Sequence, residues 1–130
     1  MGRYYHGDIE GKFWVAVQSS DDADHFGVTG EFPQMLEYYF DEDNLDDIKK
    51  GLSMCYKNLG VNQERLDQFF KDNDGYNNHM IIEYFKEKFD VEIKDKDVQK
   101  MLEWYARKHL GVKILECVEK TGQCRFEAEC

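Results

Sequence analysis

Proline is almost absent from this chain. Pro33 is the only one, and there are no low-complexity tracts. That excludes long proline-rich linkers and a largely disordered chain. Cysteine is sparse as well. Cys55, Cys117, Cys124 and Cys130 contain no C-x-x-C pair, which argues against a zinc site and a disulfide framework. Reduced core or edge thiols are expected, with Cys55 inside; a cross-strand disulfide among the cysteines of the last hairpin is the alternative. No apolar run approaches the roughly 20 residues that a bilayer-spanning helix needs. The opening MGRYYHGDIEG lacks an apolar h-region, so no secretory signal is expected and the chain reads as cytoplasmic. Catalytic and cofactor motifs of fixed spacing are missing too. Asp72-Asn73-Asp74-Gly75 imitates a calcium loop. Its first and last ligand positions, however, would fall on Phe70 and Ile81 rather than on acids.

Positive charge is scarce in one region only. Residues 1–48 contain two cations, Arg3 and Lys12, against twelve acids. That stretch carries the whole formal charge of -10, and the rest of the 130-residue chain is neutral. Such a field repels nucleic acid and attracts metal cations or a basic protein. Aromatics alternate with lysines between Tyr84 and Lys108, but acids nearly balance the cations there. Without a net basic stripe, direct nucleic-acid binding is not expected.

What is present reads as one α+β domain over residues 1–130. Arg3–Ile9 and Lys12–Gln18 resemble two strands joined by a tight turn at Glu10-Gly11. The second contains the unbroken run Phe13-Trp14-Val15-Ala16-Val17, which suits a strand buried on both faces. Phe26–Phe32, interrupted by glycine and ended by Pro33, reads as a short strand, and Met35–Phe40 as another, with helix the alternative there. Four helices follow between Asn44 and Leu110. The first is capped by Asn44 and ended by Gly60, the second starts near Asn62, the third near Asn77 or Asn78, and the fourth runs from Asp95 to a stop at Gly111. Val112–Val118 and Cys124–Ala128 then flank a glycine-bearing turn, as a terminal hairpin. Strands, helices and strands in that order imply an antiparallel sheet, built from the N-terminal strands and the C-terminal hairpin, packed against the helices. Phe13, Val15, Val17, Leu52, Leu59, Phe69, Phe85, Leu102 and Leu110 are expected inside. Trp14 and Ala16 need cover on the second face. The helices can supply it within a monomer; a dimer is the alternative.

Two sets of side chains are candidates for function. The acids Asp21, Asp22, Asp24, Asp41, Glu42, Asp43, Asp46 and Asp47 sit in two short segments. They form one anionic patch if folding aligns those segments. The other set is His6, Asp8, Asp22, Asp24 and His25, whose carboxylate and imidazole groups suit a divalent metal ion. The first set points to a small binding or regulatory protein without a cofactor, presenting its acidic face to a basic partner. Inhibitors of nucleic-acid enzymes and immunity-type proteins have this size and charge. The second set points to a small metal-dependent hydrolase. A third reading assigns the acids to solubility alone.

Overall fold

The computed structural model describes residues 3–14, 17–29 and 35–129. Strand β1 (Tyr4–Gly7) turns back into the short β2 (Gly11–Lys12). A 3-10 turn at Asp22–Phe26 precedes β3 (Met35–Asp41), and a second one at Glu42–Asn44 opens α1 (Leu45–Leu59). Helices α2 (Asn62–Asp72), α3 (Asn78–Phe89) and α4 (Asp95–Thr121) follow, then strand β4 (Gln123–Glu129). The class is α+β. The four strands form one antiparallel sheet in the order β2-β1-β4-β3. The last strand thus inserts between the first and the third.

Side chains of one sheet face are buried. Tyr38 stands opposite Phe126 in the register, and the two rings stack at 5.1 Å. Tyr5, Leu36, Phe40, Cys124 and Ala128 complete that face. Ile48, Leu52 and Cys55 of α1 cover it, with Leu110, Ile114 and Val118 of α4. A second core lies among α2, α3 and the first half of α4, around Leu66, Phe69, Ile81, Phe85, Val98 and Leu102. Helix α4 lines both cores. At 27 residues it is about 40 Å long, a spine shared by the sheet layer and the helical layer.

Several elements differ from the sequence reading, each for a physical reason. Val112–Val118 is helix, not strand. Leu110, Ile114 and Val118 are buried one turn apart, so this stretch keeps the helical stripe going. Gly111 is not a stop, and His109 lies in mid-helix. The stop is Gly122, whose φ of 84° is a left-handed cap. The terminal hairpin is therefore a helix–turn–strand unit.

The described residues of the aromatic run, Phe13, Trp14 and Val17, are not in a strand. The β1–β2 ladder ends at Lys12, with one further bond from the Phe13 N–H to the Arg3 carbonyl, and the N–H groups of Val17 and Gln18 turn back to the Trp14 carbonyl. Phe13 enters the sheet core beside Tyr5. Trp14 packs against Phe70, Tyr76 and Tyr105 of the helical layer. The run divides its rings between two cores instead of two faces of one strand. Val17 is half-buried rather than inside, while Val15 and Ala16 lie outside the described residues. Phe26 closes a 3-10 turn where a strand was expected, and Gly30–Phe32 fall outside the described residues. Asn44 caps no α1 N–H. Its side chain instead accepts from the Asp41 N–H, while Asp41 accepts from the Asp43 N–H, a capping box one turn earlier.

Candidate functional site

The first acidic segment is held from behind by buried polar groups. Gln18 accepts from the Trp14 N–H and donates to one oxygen of Asp22 at 2.8 Å. Arg107 of α4 donates to the other oxygen at 2.7 Å, and its guanidinium lies 4.6 Å over the Trp104 ring. Arg3 donates to Ser20 Oγ and to the Gln18 carbonyl. Asp22 is thus 6% exposed, and its charge is neutralised from the spine helix. Such pairing is what allows a carboxylate to be buried.

The same segment is pinned at its other end. Tyr38 Oη donates to Asp24 at 2.5 Å. Burial, then this bond to a carboxylate, pushes the Tyr38 phenol well above its usual range. His25 Nε2 lies 3.1 Å from the Gly51 carbonyl, and its ring meets Phe26 and Trp104 edge-on. Phe26 is fully buried between α1 and α4. It fits only because each helix has a glycine there. A Cβ at Gly51 would lie 2.6 Å from the ring, and one at Gly111 would lie 2.5 Å from it.

The second acidic segment crosses the same end of the molecule. Gly27 sits on Asp47: a Cβ on the glycine would be 2.5 Å from the Asp47 Cβ. At the other limit, Glu42 Oε1 would be 3.4 Å from a Cβ on Gly122, at the α4–β4 turn. Asp21, Asp24, Glu42, Asp43, Asp46 and Asp47 are exposed and Asp41 is partly so. Among the described residues, Asp21, Glu42, Asp43, Asp46 and Asp47 have no cationic partner. The amino-terminal dipole of α1 offsets part of the repulsion among Glu42, Asp43, Asp46 and Asp47. The two segments thus meet at Gly27 and Asp47, with Asp22 turned inward and the other acids outside.

The second candidate set is distributed differently. His6 stands on β1 opposite Glu127. Asp8 accepts from the Arg125 N–H at 2.9 Å. Asp22, Asp24 and His25 are engaged by Arg107, Tyr38 and Gly51 as above. Among the described residues, no three His, Cys, Asp or Glu side chains converge on a point where a metal ion could sit. A cleft of about 360 Å³ beside β3 is lined by Val28, Thr29, Glu37, Tyr38, Tyr39 and Arg125.

Other contributors were hidden in the sequence. Gln18, Tyr38, Gly51, Trp104 and Arg107 position the acidic segment but belong to no motif. Glu37 faces Glu127 across β3 and β4 and adds carboxylates to the open sheet face. The alternation in Met35–Asp41 and Gln123–Glu129 was the available signal for those two. A scan of family models, a search of curated proteins and a search of solved structures each find no match for this chain.

Proposed function

We propose that this chain is a non-enzymatic binding or regulatory protein that presents an anionic face to a basic partner protein. The face comprises Asp21, Asp24, Asp41, Glu42, Asp43, Asp46 and Asp47, while Asp22 anchors it from within. The observation that carries the reading is the contact of Gly27 with Asp47, which joins two acidic segments into one surface. Support also comes from how firmly the face is held. Phe26, Asp22 and His25 tie the first segment to two helices, so the charges are organised before a partner arrives. Preorganisation lowers the ordering cost of binding. A concentrated field of one sign also speeds encounter with an oppositely charged surface. An inhibitor or immunity-type protein that fills a phosphate-binding cleft would use such a face.

The test compares two variants with the same loss of charge. One carries Asp43→Asn, Asp46→Asn and Asp47→Asn. The other carries Glu83→Gln, Glu87→Gln and Glu92→Gln, on or just beyond α3 and away from the face. Binding to a lysine-rich peptide is expected to weaken in the first and persist in the second. It should also fall as salt rises, because screening acts within about 10 Å at 0.1 M. Equal weakening in both variants contradicts the proposal and favours acids that serve solubility.

A further inference from the structure

The turn that ends the spine helix carries two thiols. Cys117 lies in the last turns of α4, and Cys124 is the second residue of β4. Gly122, in the left-handed conformation, reverses the chain between them. Cys117 Sγ donates to the Gln123 carbonyl at 3.3 Å, the oxygen of the peptide that leads into Cys124. Thr121 Oγ1 lies within hydrogen-bond distance of the carbonyls of both Cys117 and Gln123, and its one proton ties the turn to either. Cys124 points inward and is fully buried, whereas Cys117 is half-buried at the rim of the same core. Cys117 Sγ thus reaches the peptide that joins Gln123 to Cys124, across the turn. Burial first, and then the neighbouring Cys117 thiol, push the Cys124 thiol above its usual range. Both cysteines are free thiols.

We propose that Cys117 and Cys124 form a dithiol site that a low-molecular-weight disulfide oxidises to an intramolecular disulfide, stapling the end of α4 to β4. Cys117, the more accessible, reacts first. Its thiolate attacks one sulfur of the small disulfide RSSR, forms Cys117–S–S–R and releases one RS⁻. Cys124 then gives up its proton and attacks the Cys117 sulfur, which expels the second RS⁻. The two departing thiolates take up the two protons. The protein is oxidised by two electrons, and one RSSR becomes two RSH. Exchange of this kind needs only a thiolate, an accessible sulfur and a neighbouring thiol. The staple adjoins Glu42 through Gly122, so the site sits at one limit of the acidic face without depending on that face for its chemistry.

The test uses the full reduced chain and oxidised glutathione, with acid quench, alkylation, trypsin and mass spectrometry. Lys113, Lys120 and Arg125 place Cys117, Cys124 and Cys130 in three separate tryptic peptides, so each pairing is distinguishable. The expected product joins peptide 114–120 to peptide 121–125 and leaves two of the four thiols alkylatable. Cys124→Ala should instead accumulate a lasting glutathione adduct on Cys117. Cys117→Ser should leave Cys124 unmodified. A wild-type chain that stops at the Cys117 adduct, pairs through Cys130 or does not react overturns the proposal.

Discussion

Replacing Gly111 with alanine reverses the usual sign of a helix substitution. In an ordinary helix interior, glycine to alanine stabilises by about 0.5–1 kcal/mol. Here the new methyl group would lie 2.5 Å from two carbons of Phe26 and 2.9 Å from Leu52. Phe26 is fully enclosed and has no space into which to retreat. Overpacking of a filled core costs about 1–3 kcal/mol, so the net effect is a loss of about 0–2.5 kcal/mol. Phe26→Ala alone should cost about 3–5 kcal/mol by leaving a cavity. In that background the clash with the ring disappears and the Leu52 methyl can swing into the vacated space, so Gly111→Ala should stabilise by up to the ordinary increment. A double-mutant cycle by urea denaturation reads the difference. The coupling between the two sites should be about 1–3 kcal/mol. If Gly111→Ala stabilises equally in both backgrounds, Phe26 does not occupy the notch, and the anchoring of the acidic segment is wrong.

Other substitutions probe the remaining supports. Asp22→Ala removes the partner of Arg107, and should cost about 2–3 kcal/mol in urea denaturation. The value falls below that of a fully buried pair because the Arg107 side chain stays 24% exposed. Burial pushes the Cys55 thiol up to about 12. The unfolded chain therefore loses this proton first, and stability should decline as pH rises from about 9 toward 12. Cys55→Ala should remove that share of an alkaline unfolding curve. His109 behaves in the opposite sense. Desolvation, then the Lys108 charge, lower its pKa from 6.5, with Lys113 acting the same way and Asp67 opposing. Its contribution is complete above 6.5 and is lost as pH falls, so His109→Gln should flatten the acid limb of the same curve.

Helices α1 to α3 were legible because their signals are local. Asn77 caps α3 through its side chain, Gly60 ends α1, and the apolar stripes keep a helical spacing. Strand β3 was legible only in part, because the composition of Met35–Phe40 leaves helix open until its pairing with β4 is seen. The second half of α4 was not, because Gly111 has the composition of a stop. Its reason lies in the Phe26 ring, a contact 85 residues distant along the chain. The run from Phe13 failed similarly. Periodicity cannot show that adjacent rings enter separate cores. Among the acids, sequence alone treats Asp22 like Asp21. Only its pairing with Arg107, 85 positions away, separates an anchor from a surface charge. The approach of the two segments was not legible either: β2 and β3 lie at opposite edges of the sheet, and Gly27 reaches Asp47 through the 3-10 turn packed on α1 instead.

The proposed function requires one continuous anionic face around Asp21 and the segment from Asp41 to Asp47. Paramagnetic relaxation of backbone amides by a cationic and by an anionic nitroxide measures the local potential residue by residue. Amides of Asp21, Asp24, Gly27 and Glu42–Asp47 should show the strongest preference for the cationic probe, fading together as salt is added. Equal preference across the whole surface, or strong preference at only one of the two segments, contradicts it.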